Sequence, residues 1–351
     1  MEKSGIHALV VDDSALFRKQ IERLFYSDAA FEKVSLFSDG NKALNFIKDS
    51  KPDVVILDIE MPIMNGLELL KHIRDLDKPL PIIMFSSLTQ KGAAVTLEAL
   101  AYGATDFVGK PSTIDGFSNT PEQVFEALLF KTKTLAKRSS YIKTSLDTHV
   151  KKLKNSRVDL IVIGCSTGGP KALETLLSQI TNDISAPILI VQHMPPLFTK
   201  LLADQLDSKT NLNVKEGADN QFAEPGAVYI APGGYHMVID RNYKIYLNQE
   251  PMENSCRPAV DVLFRSAAAA FGQNCLGVLL TGMGSDGLKG CHKIKDCSGS
   301  VFVQDQESSV IGSMPGAVQS AGLADAVYSL NDIGLQIYNY TLKNSVEKKC
   351  I

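Results

Sequence analysis

The chain has 351 residues, 44% apolar and 21% charged, with a formal net charge of −3. That length suits two or three globular domains, and the charge balance excludes the broad basic field of a nucleic-acid-binding protein. No apolar run approaches the roughly 18 residues of a bilayer span, and the opening stretch is cut by Asp12-Asp13 rather than forming a signal peptide, so a cytoplasmic protein without membrane insertion is expected.

In chain order, short β-branched runs end at Val11, Phe37, Leu57, Phe85 and Val108, separated by amphipathic segments of helical length. This alternation predicts a (βα)5 unit with a parallel sheet, flavodoxin-like in class. Its strand ends are unusually polar: Asp12 and Asp13 close the first, Asp58 the third, Ser86-Ser87 the fourth and Lys110-Pro111 the fifth. Functional groups of a parallel α/β sheet collect at that edge. Carboxylates converging there repel one another unless a cation sits among them, and oxygen-only ligands suit Mg²⁺. Adding a lysine and a hydroxyl gives a site fitted to phosphoryl transfer onto an aspartate. The plainer reading, that each aspartate merely caps the next helix, accounts for single positions but not for the whole set.

From Phe130 to Arg157 large apolar residues thin out and Lys, Ser and Thr accumulate, which reads as a helix tail running into a solvated linker. The expected division is 5–125, a linker at 126–156, and a second domain at 157–345. Strands are predicted at Leu160–Ile163, Ile188–Val191, Val228–Ile230, Met237–Ile239, Lys244–Leu247, Leu276–Leu280 and Val301–Val303, with helices at Ala172–Ile180, Leu197–Leu206 and Val260–Phe271. This is a doubly wound, mostly parallel α/β pattern, with the Val228 to Leu247 hairpin expected as an antiparallel edge. The tail after Leu330 reads as mixed, with a frayed end.

The strand at Leu160 runs into Gly164-Cys165-Ser166-Thr167-Gly168-Gly169-Pro170, a glycine-flanked strand-to-helix turn that pushes a hydroxyl outward near helix N-terminal amides. A base for Ser166 is sought among His193, His236 and His292. His193 ends a strand, whereas His236 starts one and His292 lies among helical residues. Asp286, in Thr281-Gly282-Met283-Gly284-Ser285-Asp286-Gly287, is the expected orienting acid, with Asp261 and Asp305 as weaker rivals. The order Ser166, His193, Asp286 is not that of an α/β-hydrolase. A phosphate-cradling loop at Gly164–Gly169 is the rival reading, but no Gly-Lys-Ser/Thr follows. The six cysteines, all after residue 160 and none spaced Cys-x-x-Cys, are expected to be free thiols, with Cys165 a small buried residue at the turn.

Residues 5–125 resemble a two-component receiver domain through Val10-Val11-Asp12-Asp13-Ser14, Asp58-Ile59-Glu60-Met61-Pro62, Met64-Asn65-Gly66, Ser86-Ser87 and Gly109-Lys110-Pro111. The resemblance implies phosphorylation at Asp58 by a chemotaxis histidine kinase. It implies Mg²⁺ held by Asp13, Asp58 and the Glu60 carbonyl with help from Asp12, phosphoryl contacts from Ser86 and Lys110, and a cis peptide before Pro111. Asn65 stands where Asp is commoner, in a turn where the change should be neutral.

The second half resembles the CheB chemotaxis methylesterase family. The matching motifs are the serine turn, Val191-Gln192-His193-Met194-Pro195, Ser255-Cys256-Arg257-Pro258, Val260-Asp261-Val262-Leu263-Phe264, the glycine-rich Asp286 loop and Ser308-Ser309-Val310. It implies a hydrolase, active without a cofactor, that demethylates glutamyl methyl esters and deamidates glutamines on methyl-accepting chemoreceptors. The backbone amides of Thr167 and Met283 are expected to hold the oxyanion. The receiver is expected to cover the hydrolase face until Asp58 is phosphorylated. An esterase of the same fold serving another signalling pathway is the alternative. Cys165 replaces a usual alanine, Leu197 stands where glycine is common, and Gly312-Ser313-Met314-Pro315 replaces an apolar-Gly-Met-Pro.

Overall fold

The central strands of the first sheet are short apolar runs with no room for polar faces, whereas β2 (Phe31–Phe37) at its edge carries exposed Glu32 and Lys33. β1 (Ile6–Val11), β3 (Val54–Asp58) and β4 (Ile82–Ser86) are buried almost throughout, as strands covered on both faces must be. With β2 and β5 (Asp106–Gly109) they form an all-parallel sheet in the order β2-β1-β3-β4-β5. In this computed structural model the described residues are 5–111, 120–138 and 157–343. Contacts divide the chain into two compact units, Met1–Thr144 and Ser145–Ile351.

The helices of the first unit start where the sequence supplies caps. Ser14 caps α1 (Ala15–Tyr26), Asp39 caps α2 (Gly40–Asp49), and Thr89 caps α4 (Gln90–Ala101). Asn65 caps α3 (Gly66–Leu76) through a reciprocal box with Glu68, so an amide serves here as well as a carboxylate. The last helix, α5 (Pro121–Arg138), continues well into the stretch expected as linker; residues 139–156 lie outside the described residues.

The second unit is built on seven parallel strands: β6 (Leu160–Cys165), β7 (Ile188–Gln192), β8 (Asn213–Glu216), β9 (Ala227–Ile230), β12 (Cys275–Leu279), β13 (Ser300–Gln304) and β14 (Ala326–Tyr328). Their order is β14-β13-β12-β6-β7-β9-β8. The expected antiparallel hairpin is present, but it is not an edge of the main sheet. β9 pairs in parallel with both β7 and β8, while β10 (His236–Ile239) and β11 (Ile245–Asn248) pair only with each other as a separate two-stranded sheet. Three strands within twenty residues read locally as a meander. A central strand nevertheless needs a partner on each side, and β8, too short and polar to stand out in the sequence, takes the outer side of β9.

α6 (Gly169–Leu177), α7 (Phe198–Lys209), α8 (Val260–Phe271), α9 (Leu288–Asp296) and α10 (Ser313–Ser320) complete the unit. The tail is also corrected: Leu330–Lys343 is one helix, α11, with Ile333 and Ile337 buried and its backbone packed on α6. Its supposed frayed end, 344–351, lies outside the described residues. Among the described residues no helix is long and apolar enough to cross a membrane. Five cysteines, including Cys165, are free thiols; Cys350 lies outside the described residues.

Candidate active site and phosphoryl-acceptor site

In the first unit, β1 is flanked by β2 and β3, so the direction of chain progression reverses there and leaves a crevice at the carboxyl edge. Asp12 and Asp13 follow β1 and Asp58 ends β3, and ligand oxygens from all three lie within 4.8 Å of one another. Asp12 and Asp58 are buried, Asp13 is exposed. Lys110 reaches in from the end of β5, 2.8 Å from Asp58 Oδ2 and 3.1 Å from Asp12 Oδ2, its ammonium lying over the rings of Phe17 and Phe85. Asp12 Oδ2 is buried with no hydrogen bond of its own beside that ion pair. Hard oxygen ligands, one buried oxygen short of donors and net negative charge fit a divalent cation. Burial pushes the Asp58 carboxyl up to about 6, against the pull of Lys110 and with the push of Asp12.

One expectation at this site is not met, and one side chain is engaged elsewhere. Ser86 ends β4, but its hydroxyl is turned into α4, where it accepts from Thr96 Oγ1 at 2.7 Å and lies 3.4 Å from the Gly92 carbonyl. The peptide before Pro111 is trans: the one cis peptide among the described residues is Arg257-Pro258. X–Pro bonds differ by only about 0.5–1 kcal/mol between isomers, so sequence alone does not fix them.

In the second unit, three adjacent strands deliver the three expected residues. β6 is flanked by β12 and β7; Ser166 follows β6, His193 follows β7, and Asp286 lies in the loop after β12. Cys165 pairs with Gln192, so Ser166 and His193 leave neighbouring strand ends together. The turn is tight. Gly168 has φ +80, and a Cβ on Gly169 would sit 1.8 Å from Gln192 Oε1. Ser166 donates its amide to Thr281 O at 3.0 Å and accepts at its carbonyl from Gly169 N and Gln192 Nε2. Its Oγ makes no hydrogen bond among the described residues.

His193 Nε2 lies 2.8 Å from Asp286 Oδ2. Asp286 is buried on the N-terminus of α8. Its Oδ2 also accepts from Val260 N at 2.7 Å, and its Oδ1 accepts from Asp261 N and Gly287 N at 3.0 Å and from Asn254 Nδ2 at 2.8 Å. Although α8 has no side-chain cap of its own, this remote carboxylate takes that part. Burial acts to raise the Asp286 carboxyl, but the His193 bond and charge and these amides outweigh it and hold it low. Conversely, burial acts to lower His193, but the bonds to Asp286 and to the Cys256 thiol and their charges hold it above the ordinary histidine value.

The other residues weighed for this site have separate employment. His236 is buried between Pro251 O and Ala259 N, and His292 is exposed on α9. Asp305 caps its own turn at Ser308. Cys165 is buried with its thiol 3.1 Å from Gln192 Oε1, and burial pushes the thiol far up, which leaves it unreactive.

Sequence reading missed the residues that hold these groups in place. Gln192 Nε2 bridges the carbonyls of Ser166 and His193. Thr281 Oγ1 donates to Thr167 O. Ser313 Oγ donates to Gly282 O at 3.0 Å and accepts from Gly284 N at 3.1 Å, clasping Met283 from both sides. A Cβ on Gly282 would sit 3.0 Å from Ser166 Cβ, which shows how closely the Met283 loop abuts the serine. The serine-for-glycine change at 313 was visible as a departure, but its partner was not.

A hydroxyl at a strand-helix turn, a histidine on the next strand and a buried carboxylate on its nitrogen form the equipment of a serine hydrolase, paired here with a phosphoryl-acceptor unit. Comparison with known proteins agrees. Residues 8–119 match the response regulator receiver domain and residues 161–337 match the CheB methylesterase domain. The chain is 44% identical to a protein-glutamate methylesterase/protein-glutamine glutaminase of Nocardioides sp., covering 95% of this chain and 94% of that one. It is 43% identical to one of Trichodesmium erythraeum, over 94% and 97%. The crystal structure of the Thermotoga maritima CheB methylesterase catalytic domain matches with a TM-score of 0.51 and 41% identity, covering 52% of this chain and 98% of that one. The chain belongs to the CheB methylesterase family, with an N-terminal receiver domain.

Proposed function

We propose that this protein is a phosphorylation-activated serine hydrolase that demethylates glutamyl methyl esters, and deamidates specific glutamines, on methyl-accepting chemoreceptors. The observation that carries the reading is the 2.8 Å pair of His193 and Asp286 beside the Ser166 turn, in a chain whose relatives bear that enzyme name along nearly their whole length. Ser166 Oγ attacks the ester carbonyl and its proton passes to His193. Because Nε2 is held by Asp286, the working nitrogen is Nδ1. His193 then returns the proton to the departing methanol, and water hydrolyses the acyl-enzyme by the reverse relay. The same route on a glutamine releases ammonia. The amides of Thr167 and Met283 receive the oxyanion; a donor in that position is worth about 3–4 kcal/mol in the transition state. Asp286 stays ionised and stabilises the imidazolium.

In the receiver, Asp58 is the phosphoryl acceptor and a histidine kinase of the chemotaxis pathway is the donor. Asp12, Asp13, Asp58 and the Glu60 carbonyl are the groups to hold Mg²⁺, which neutralises charge on the transferring phosphoryl group. Lys110 contacts that group, as does Ser86 once its hydroxyl leaves Gly92 and Thr96. The division into receiver, linker and hydrolase stays part of this proposal, with the first boundary, expected at 125, moved past the end of α5 at Arg138, because that helix packs on the first unit. The test is methanol release from methylated receptor with and without acetyl phosphate and Mg²⁺. Stimulated release is expected, and a chain with no methanol release under either condition overturns the reading.

A further inference from the structure

We propose that Asn254 is a positioning residue of the hydrolase, whose side-chain amide fixes Asp286 where it meets His193 and separates it from a second buried carboxylate, Asp261. This rests on the reading of Ser166, His193 and Asp286 given above.

Asn254 Nδ2 lies 2.8 Å from Asp286 Oδ1 and 3.0 Å from Asp261 Oδ2. Both carboxylates are buried, Asp261 at 1% and Asp286 at 2% exposure. Two such groups sharing one wall repel, and a neutral group with two N–H donors is the side chain that quiets both without adding charge. Asp261 uses its other oxygen on Gly290 N at 2.7 Å, so its carboxylate also ties α8 to α9.

The segment carrying Asn254 is itself anchored. Glu253 and Cys256 exchange backbone hydrogen bonds, and Arg265 of α8 grips Glu253 with two bonds of 2.7 and 2.6 Å. Asn254 and Ser255 sit at φ +54 and +60, a conformation that asparagine tolerates better than most residues. The same turn carries Cys256, whose thiol helps hold His193 above its ordinary value. The charged and titratable groups facing the pair are therefore Asp261 and Arg265 from α8, Glu253 and Cys256 from the turn, and each other.

The test compares kcat, KM and the pH profile of methanol release by the full chain for Asn254→Ala, Asn254→Asp, the exchange variant Asn254→Asp/Asp261→Asn, and Ser166→Ala. The two single Asn254 variants should lose about tenfold to a hundredfold in kcat with KM nearly unchanged. In Asn254→Asp the added negative charge favours the His193 imidazolium, so the acid limb should move to higher pH by up to about one unit. The exchange variant, with the parent's charge, should return the limb toward the parent position and recover much of kcat. An acid limb unmoved in Asn254→Asp, or a kcat loss that follows melting temperature and is not restored by the exchange, overturns the proposal. If Ser166→Ala still releases methanol at the parent rate, it is the underlying hydrolase reading that falls instead.

Discussion

Asp58 in the receiver and Asp286 in the hydrolase are equally buried, each 2% exposed under the carboxyl edge of a parallel sheet, yet their acidities move in opposite directions. Asp58 has Lys110 at 2.8 Å, a single backbone amide at 3.3 Å and the like charge of Asp12 beside it, and burial wins. Asp286 accepts from His193, three backbone amides and Asn254, and the donors win. Depth therefore does not decide the state of a buried carboxylate; the count of donors does. The difference suits the two proposed roles. An acceptor must form a new bond at its oxygen and is poorly served by donors that saturate it. An orienting group must remain charged while a proton moves beside it.

The strongest way to break the comparison is to remove the group that Asp286 serves. Ser166→Ala should cut methanol release by at least about 10³-fold while leaving the thermal melt near that of the parent, because only Oγ is lost. Next in size, Asp286→Asn should lower kcat by about 10²–10⁴-fold and move the acid limb of the pH profile down. The sign follows from the pair: Asp286 holds His193 above its ordinary value, so the parent limb lies above pH 6.5, and a neutral amide removes that support. A limb that stays in place would mean that Asp286 does not set the histidine.

On the receiver side, Asp58→Asn should abolish stimulation by acetyl phosphate and spare a low basal rate. It should also raise the melting temperature of the full chain in metal-free buffer at pH 8 by several degrees. The folded value of about 6 exceeds the unfolded 3.8, so the folded state binds the extra proton between those values. Stability from this group is present at low pH and lost as pH rises through about 6, and the advantage of the amide should fade below pH 4. The smallest effect is expected at Leu197, whose φ of +72 burdens a residue with a Cβ. Leu197→Gly should stabilise by about 0.5–1 kcal/mol in urea titration with kcat unchanged.

Legibility differed between the two halves for a physical reason. Strands buried on both faces announce themselves as apolar runs, and the residue ending each run lies at the functional edge. Asp58, Lys110, Ser166 and His193 could therefore be placed from the chain alone. β8 carries one buried side chain in four residues and offers no such run. The Val228–Leu247 segment gave the right strands and the antiparallel hairpin but not the parallel partners of β9, because that pairing is chosen among elements distant in sequence. Asn254 and Ser313 sit in turns with no periodicity, and their importance lies wholly in what they touch 32 and 31 residues away.

By itself, then, the sequence determined the alternating α/β architecture, the polar strand ends and the chemical inventory of both sites, since all of these follow from local runs and the turns that end them. Only the tertiary structure decided that β12, β6 and β7 lie side by side, so that Ser166, His193 and Asp286 share one edge. It also decided that Nε2 rather than Nδ1 of His193 faces the carboxylate, that the Ser86 hydroxyl points into α4, and that one asparagine stands between two buried acids. Those are matters of orientation among groups tens of residues apart, and no local preference of the chain encodes them.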